Sequence, residues 1–441
     1  MRKRIEIFLI CMLLISSTTS LALTPFNRND QQMKDYFFDT KPVLLPQSKG
    51  WMKTFGGTEI DYGLSVQQTT DGGYIITGVT SSFGAGGKDV WLIKTDSSGK
   101  KIWDKTFGGI DEDGGRSVQQ TNDGGYIITG TTNSSGAGLR DAWLIKTDAN
   151  GYETWNKTFG GIGNDEANSV QQTTDGGYII TGLTDLFEAR RWDVWLIKID
   201  ANGYETWNKT FGGIDYDFGN SVQQTSDGGY IIVGYTGSFG AGHYDIWLIK
   251  TDANGDKVWD KTIGGTNTDG GISVQQTTDG GYIITGNTFT FGAGDCDIWL
   301  IKTDANGDKV WDKTFGGIDG DGCQSVQQTS DGGYIMIGGT YSFGAGDCDI
   351  WLIKTDNNGN EKWNRTFGGT NDDWGQSVQQ TNDGGFIITG VTNASGLNIM
   401  GGDVWLIKTD SQGKSKTISL GSLLFEKLVQ RFPFFEKILN Q

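Results

Sequence analysis

The chain has 441 residues, of which 70 are glycine, only 4 are proline and 12% are aromatic; so many rings argue against a disordered linker protein. A net charge of −17 at pH 7 disfavours nucleic-acid binding, because phosphates demand a basic face. A single histidine, His243, excludes a His-rich metal centre and leaves a Ser/His/Asp triad with little support.

The N-terminus reads as an export signal. Arg2, Lys3 and Arg4 precede a short apolar run from Ile7 to Ile15, and Ser20 and Ala22 fit the small residues of a cleavage site. Residues 1–22 are predicted to be a signal peptide cut after Ala22, with a retained anchor helix as the alternative. A lipid anchor on Cys11 is disfavoured because Ile10 is too bulky for a lipobox. Losing Arg2, Lys3, Arg4 and Glu6 would take the chain from −17 to about −19. The expected location is secreted or at the cell surface. Residues 23–50 hold three of the four prolines and no repeat, and read as a linker.

From Trp51 onward the sequence repeats. Trp51, Trp103, Trp155, Trp207, Trp259, Trp311 and Trp363 stand 52 residues apart, and each opens a near-copy of one unit. In the first complete copy, Ser65–Thr69 is a strand signal. Asp71-Gly72-Gly73 is a tight-turn sequence, and Tyr74–Gly78 is a second strand. A glycine-rich loop leads to a third strand, Asp89–Lys94. The fourth runs from Ile102 to Phe107, and the β-branched and aromatic residues that strands prefer fill all four. Four antiparallel strands in a unit of this length describe a propeller blade; a β-solenoid, with shorter rungs, is the second choice. The fold class is therefore all-β, a seven-bladed β-propeller over residues 51–415. Its last blade lacks a tryptophan strand of its own, since Thr417 stands where one is expected. The Trp51 strand is predicted to complete that blade beside Val404–Ile407. The Trp91-type and Trp103-type rows, with Tyr74–Ile76, are expected to fill the layers between blades.

The patterns D-G-G-Y-I-I-T-G, D-[VAI]-W-L-I-K and W-x-K-T-F-G-G resemble the seven-bladed propeller repeat of bacterial and archaeal exported surface proteins. That resemblance covers roughly residues 51–415. It implies the fold and an exported location, and it implies no reaction.

Two aspartate rows recur in every unit, the Asp61 row and the Asp89 row. Carboxylates in glycine-rich loops can bind Ca²⁺, but recurrence in each copy favours turn-holding. The best metal candidates are Asp111 with Asp113, Asp319 with Asp321, and the D-C-D triplets at 295–297 and 347–349; none matches a complete Ca²⁺ loop. No cofactor is otherwise expected. Asp96 to Gly99 before Trp103 resembles the structural Asp-box hairpin of sialidase propellers, without a sialidase's arginine cluster. Cys296, Cys323 and Cys348 form an odd set, which allows at most one disulfide, Cys323 with Cys348 or Cys296.

Departures from the repeat are the best guide to a site. The third copy carries Glu188, Arg190, Arg191 and Trp192; the fourth carries His243 and Tyr244; the seventh carries Trp374 and an insertion. These loops should share one face, where Arg-Arg-Trp is suited to an anionic or sugar-like ligand. Neutral drift of a surface loop is the bland alternative, and His243 by itself reads as an exposed loop residue. Asn133, Asn156, Asn208, Asn364 and Asn393 begin glycosylation sequons.

Residues 416–441 differ from everything before them. Leu424, Leu428, Phe432, Phe435 and Leu439 recur at helical spacing among charges, in a segment too short and charged to span a membrane. A docking helix at the envelope and a helix packed on the propeller are both open.

The leading functional expectation is a non-enzymatic binding scaffold whose partner is a surface protein, an envelope component or a glycan. An envelope-polysaccharide hydrolase or lyase using Glu112, Glu166 or Glu188 is the second, and a structural surface coat the third.

Overall fold

A computed structural model describes residues 50–185, 191–393 and 402–415. The predicted signal peptide, the linker up to residue 49, the C-terminal tail, Glu188 and Arg190 lie outside the described residues.

These residues form seven four-stranded antiparallel sheets. In the first, Asp61–Gln68 runs innermost, followed outward by Tyr74–Thr80, Asp89–Thr95 and Lys101–Phe107. The following blades repeat that order. The seventh takes Asp373–Gln380, Phe386–Thr392 and Asp403–Thr409 from one end of the repeat region, and its outer strand, Trp51–Phe55, from the other. Trp51 stands opposite Lys408 and Phe55 opposite Val404, which is the closure the repeat count predicts. Seven separate sheets arranged in a ring are incompatible with a solenoid.

The inner strand is longer than its sequence signal. It starts at Asp61, four residues before Ser65, because a β-bulge between Gly63 and Ser65 absorbs one residue and lets pairing with Tyr74–Thr80 continue. The Asp-Gly-Gly hairpin is as expected: Thr69 and Gly73 are bonded across it, and Gly72 takes a φ of 81°.

The core lies between the blades. Val66, Tyr74, Ile76, Trp91 and Ile93 of blade one pack with Ile387, Val404 and Leu406 of blade seven, and equivalent clusters fill the other junctions. The two tryptophan rows have different jobs. Trp91 is 1% exposed and belongs to the core, whereas Trp103 is half-buried and meets Tyr126 of the next blade edge-on at 5.9 Å. Trp51 meets Tyr74 in the same way, at 5.7 Å across the closing junction.

Inner strands are stitched to one another by glutamine. Gln67 Oε1 accepts the main-chain N–H of Gln120 in the next blade, and the same 2.6 Å bond occurs at all seven junctions. Gln120 reaches back to accept the N–H of Thr70 at 2.9 Å.

Candidate functional site

Because strand directions alternate, the loops after the second and fourth strands emerge on one face. The Asp-Gly-Gly hairpins and the turns after the third strand occupy the other. Loop-face segments hold each other: Glu59 N–H donates to Ser82 Oγ at 3.0 Å, and Asp113 N–H to Lys88 O at 2.6 Å.

The two aspartate rows fix these loops. Asp61 is fully buried and accepts from Gly57 N–H at 2.9 Å, from Ser82 Oγ at 2.7 Å and from the Thr80 hydroxyl. Asp89 accepts Ala85 N–H at 3.0 Å. Burial, and then the neighbouring Asp113, push the Asp89 carboxyl up. Among the proposed metal ligands, Asp113 and Asp321 are spent on the same loop bonds, to Gly109 and Gly317, while Asp111 and Asp319 are exposed. Among the described residues no three His, Cys, Asp or Glu side chains come together as a metal site would need.

The loop face carries a charged cluster that the sequence did not disclose. Glu166, on the inner strand of blade three, takes Arg116 on one carboxylate oxygen at 2.9 Å and Arg140 on the other at 2.7 Å. Lys88 pairs with Glu112 at 3.3 Å close by. Between blades one and two, where Gly114 and Thr131 are small, Lys88, Glu112, Arg116 and Arg140 line a cleft of about 230 Å³. Glu112 and Glu166, named as candidate acid/base carboxylates, are therefore both ion-paired. Arg116 and Arg140 were missed because their partner lies 50 and 26 residues away in sequence. The usable signal was substitution within the repeat, where Glu166 takes the place of Tyr62, Gly114 and Gly270 in other copies.

An aromatic cluster adjoins it. Trp192 sits edge-on to Tyr216 at 5.4 Å and to Phe218 at 5.5 Å. Phe218 stacks on Tyr235 at 4.4 Å, and Tyr244 meets Tyr235 at 5.4 Å with His243 beyond it at 4.6 Å. Burial first, then Tyr244 and Glu166, push the Tyr235 hydroxyl up to about 12. Asn168, two residues after Glu166, donates its Nδ2 to Gly219 O at 2.9 Å, next to Phe218, so the two clusters adjoin. Trp192, His243 and Tyr244 are thus brought together as their shared face implied, and Tyr216, Phe218 and Tyr235 join them. Arg191 is exposed at the edge of the described chain.

Trp374 lies elsewhere on this face. Its ring covers Gly339 and Gly322 of blade six, 6.3 Å from Tyr341. The expected cross-face disulfide does not form. Cys296, Cys323 and Cys348 are free, and Cys323 is buried in its inner strand with its Sγ 3.3 Å from Ile337 O, turned away from the loops that carry the other two.

On the opposite face each hairpin aspartate meets a buried lysine. Lys94 Nζ lies 2.9 Å from Asp71 and donates to Thr95 O, and the pair recurs in every blade at 2.9–3.1 Å. Burial alone would raise the Asp71 carboxyl; hydrogen bonds from Thr69, Lys94 and Gly73 outweigh it and hold it at about 2. Asp96 accepts the main-chain N–H groups of Ser98 and Lys100, so the Asp-box-like turn is structural.

No family model matches the chain. It is 24% identical over 224 residues to the regulatory protein FlaEY of Caulobacter vibrioides, a match covering 43% of this chain and 23% of that relative's length. Among solved structures it is similar to Sqt1 from Chaetomium thermophilum (13% identity, 82% of this chain and 86% of that one, TM-score 0.45). It is also similar to the Neurospora crassa Pan2 WD40 domain (9%, 82% and 98%, 0.49) and to the Pyrococcus horikoshii acylaminoacyl peptidase (13%, 84% and 54%, 0.44). On the evidence of its own strands and their pairing, the chain is a repeat protein of the seven-bladed β-propeller architecture.

Proposed function

We propose that this protein is a non-enzymatic scaffold at or outside the cell envelope that binds a protein or glycan partner through the loop face of blades two to four. One observation carries the reading. The charged cluster around Glu166 and the aromatic cluster around Phe218 adjoin each other, and both are built from residues that break an otherwise near-perfect repeat. Exposed or half-buried rings beside arginine supply the stacking and forked donors on which binding hot spots depend. A partner carboxylate can exchange with Glu166 on Arg116 and Arg140 while the rings accept a sugar or peptide side chain. Exposed Ile110, Ile162 and Ile214 add apolar rim to the same face. The basic stretch Arg2–Arg4 and the apolar run after it support export.

The test is retention of the protein by cell-envelope proteins and glycans, with bound protein and released sugar scored in one tube. Retention without sugar release, reduced about tenfold by Arg116→Ala, Arg140→Ala and Trp192→Ala together, supports the scaffold. Sugar release would replace it with a hydrolase or lyase, and assembly of the protein with itself alone would replace it with a coat.

A further inference from the structure

The central channel is lined by seven valines and seven glutamines, one pair from each inner strand beginning with Val66 and Gln67, around about 250 Å³ of space. The lining contains no charged side chain. What matters is how the glutamine amides are turned. A main-chain N–H can only donate, so the amide atom facing it must be Oε1. Gln67 Oε1 is fixed on Gln120 N–H, and the other six lining glutamines are fixed in the same way at 2.6 Å. Each Nε2 is thereby forced to the remaining side of its amide. Among the described residues none of these seven Nε2 groups has a hydrogen-bond partner, and none is sealed from the lumen.

We infer that the ring of Nε2 groups around the axis is a binding site for a compact oxyanion of the sulfate or phosphate class. The ring turns seven NH₂ groups toward the axis, while each Oε1 is already engaged by a main-chain N–H between blades. A tetrahedral oxyanion accepts on all sides and can take several of these convergent donors at once, whereas a water molecule can accept only two. The valine preceding each lining glutamine is nearly buried and contributes an apolar wall to the same channel, which favours each N–H···O contact. The site depends only on the ring geometry, so it stands or falls separately from the partner-binding face.

The substitution Gln223→Glu separates binding from structure. A glutamate keeps the oxygen that accepts Gln276 N–H and replaces the lumen-facing NH₂ by a second, negatively charged oxygen. Sodium sulfate would be titrated calorimetrically into the full-length protein in low-salt zwitterionic buffer. The expected result is saturable binding near one sulfate per chain, weakened about tenfold or more in Gln223→Glu at an unchanged melting temperature. Gln67→Glu, a second site in the same ring, should give the same loss and serves if the first variant melts early. Placing Glu at positions 119, 223 and 327 together should abolish sulfate binding and create binding of a divalent cation, which a merely structural role would not produce. Absence of saturable sulfate binding, or equal binding by wild type and the two single variants, would overturn the inference.

Discussion

Gln379 Oε1, in the last blade, accepts the main-chain N–H of Gln68 in the first at 2.6 Å, and Gln67 makes the same bond at the same length to Gln120 one blade on. The junction where the chain's two ends meet is therefore built like the junctions inside it. A ring closed this well has no soft seam on its inner side, and its integrity at the rim depends on the Trp51–Phe55 strand.

Trp51→Ala should accordingly cost about 3 kcal/mol, the lower end for a large aromatic replaced by alanine, because Trp51 is half-buried rather than buried. Lys53→Ala, on the exposed side of the same strand, should cost less than about 0.5 kcal/mol. Urea denaturation of the two variants would check this; equal midpoints would mean that the strand does not fasten the ring.

Two glycines in left-handed turns separate backbone strain from packing. Gly72 has a φ of 81° with open space around it, so Gly72→Ala should cost about 1 kcal/mol from the backbone alone. Gly99 has a φ of 78°, and a methyl there runs into the Trp51 ring, so Gly99→Ala should cost about 2 kcal/mol more. Equal losses in chemical denaturation would remove Trp51 from contact with that turn.

Stability should fall in acid through the hairpin pairs. The Asp71 carboxyl titrates at about 2 in the folded protein, below its unfolded value. The contribution of the pair is therefore complete above about pH 4 and is lost as pH falls through about 2. Replacing Asp71 by Asn leaves the buried Lys94 without its partner and should cost about 1–2 kcal/mol at pH 7, a modest figure because the carboxylate side chain is 57% exposed. The deficit should shrink toward zero by pH 2. A deficit independent of pH would show that the charge of Asp71 contributes nothing.

The three thiols should be slow. Burial raises Cys296 and Cys323 to about 11 and Cys348 to about 12, nearby aspartates adding to the shift at Cys296 and Cys348. Thiolate is then scarce at pH 8, and half-buried Cys296 should react first with a disulfide reagent. Unfolding without reductant should expose all three to alkylation. Loss of two of them from the count would restore a disulfide.

How far the sequence could be read follows from where the information lies along it. The 52-residue tryptophan period, the hairpin glycines and the missing last strand are local or strictly periodic signals, and they specify blade number, strand order and closure. The early start of the inner strand was hidden because a bulge at Gly63 and Ser65 breaks the alternation that marks a strand. Lys94 ends a strand motif and does not look buried until Asp71 is folded back beside it. The Arg116–Glu166–Arg140 cluster was invisible for another reason: its members lie in different blades, so only the ring brings them together. Trp192, His243 and Tyr244 were legible as loop oddities, whereas Phe218 and Tyr235 sit inside strands, where an aromatic residue looks ordinary.

The most direct test asks which face the partner occupies. Retention by envelope fractions would be measured for the wild type and for the loop-face variant Arg116→Ala, Arg140→Ala, Trp192→Ala. A hairpin-face control would be Thr70→Ala, Asn122→Ala, Thr174→Ala, whose side chains are exposed and whose main-chain bonds are kept. Loss of about tenfold in the first variant with wild-type retention in the second is the predicted result. Undiminished retention in the loop-face variant, or a loss confined to the hairpin-face control, would contradict it.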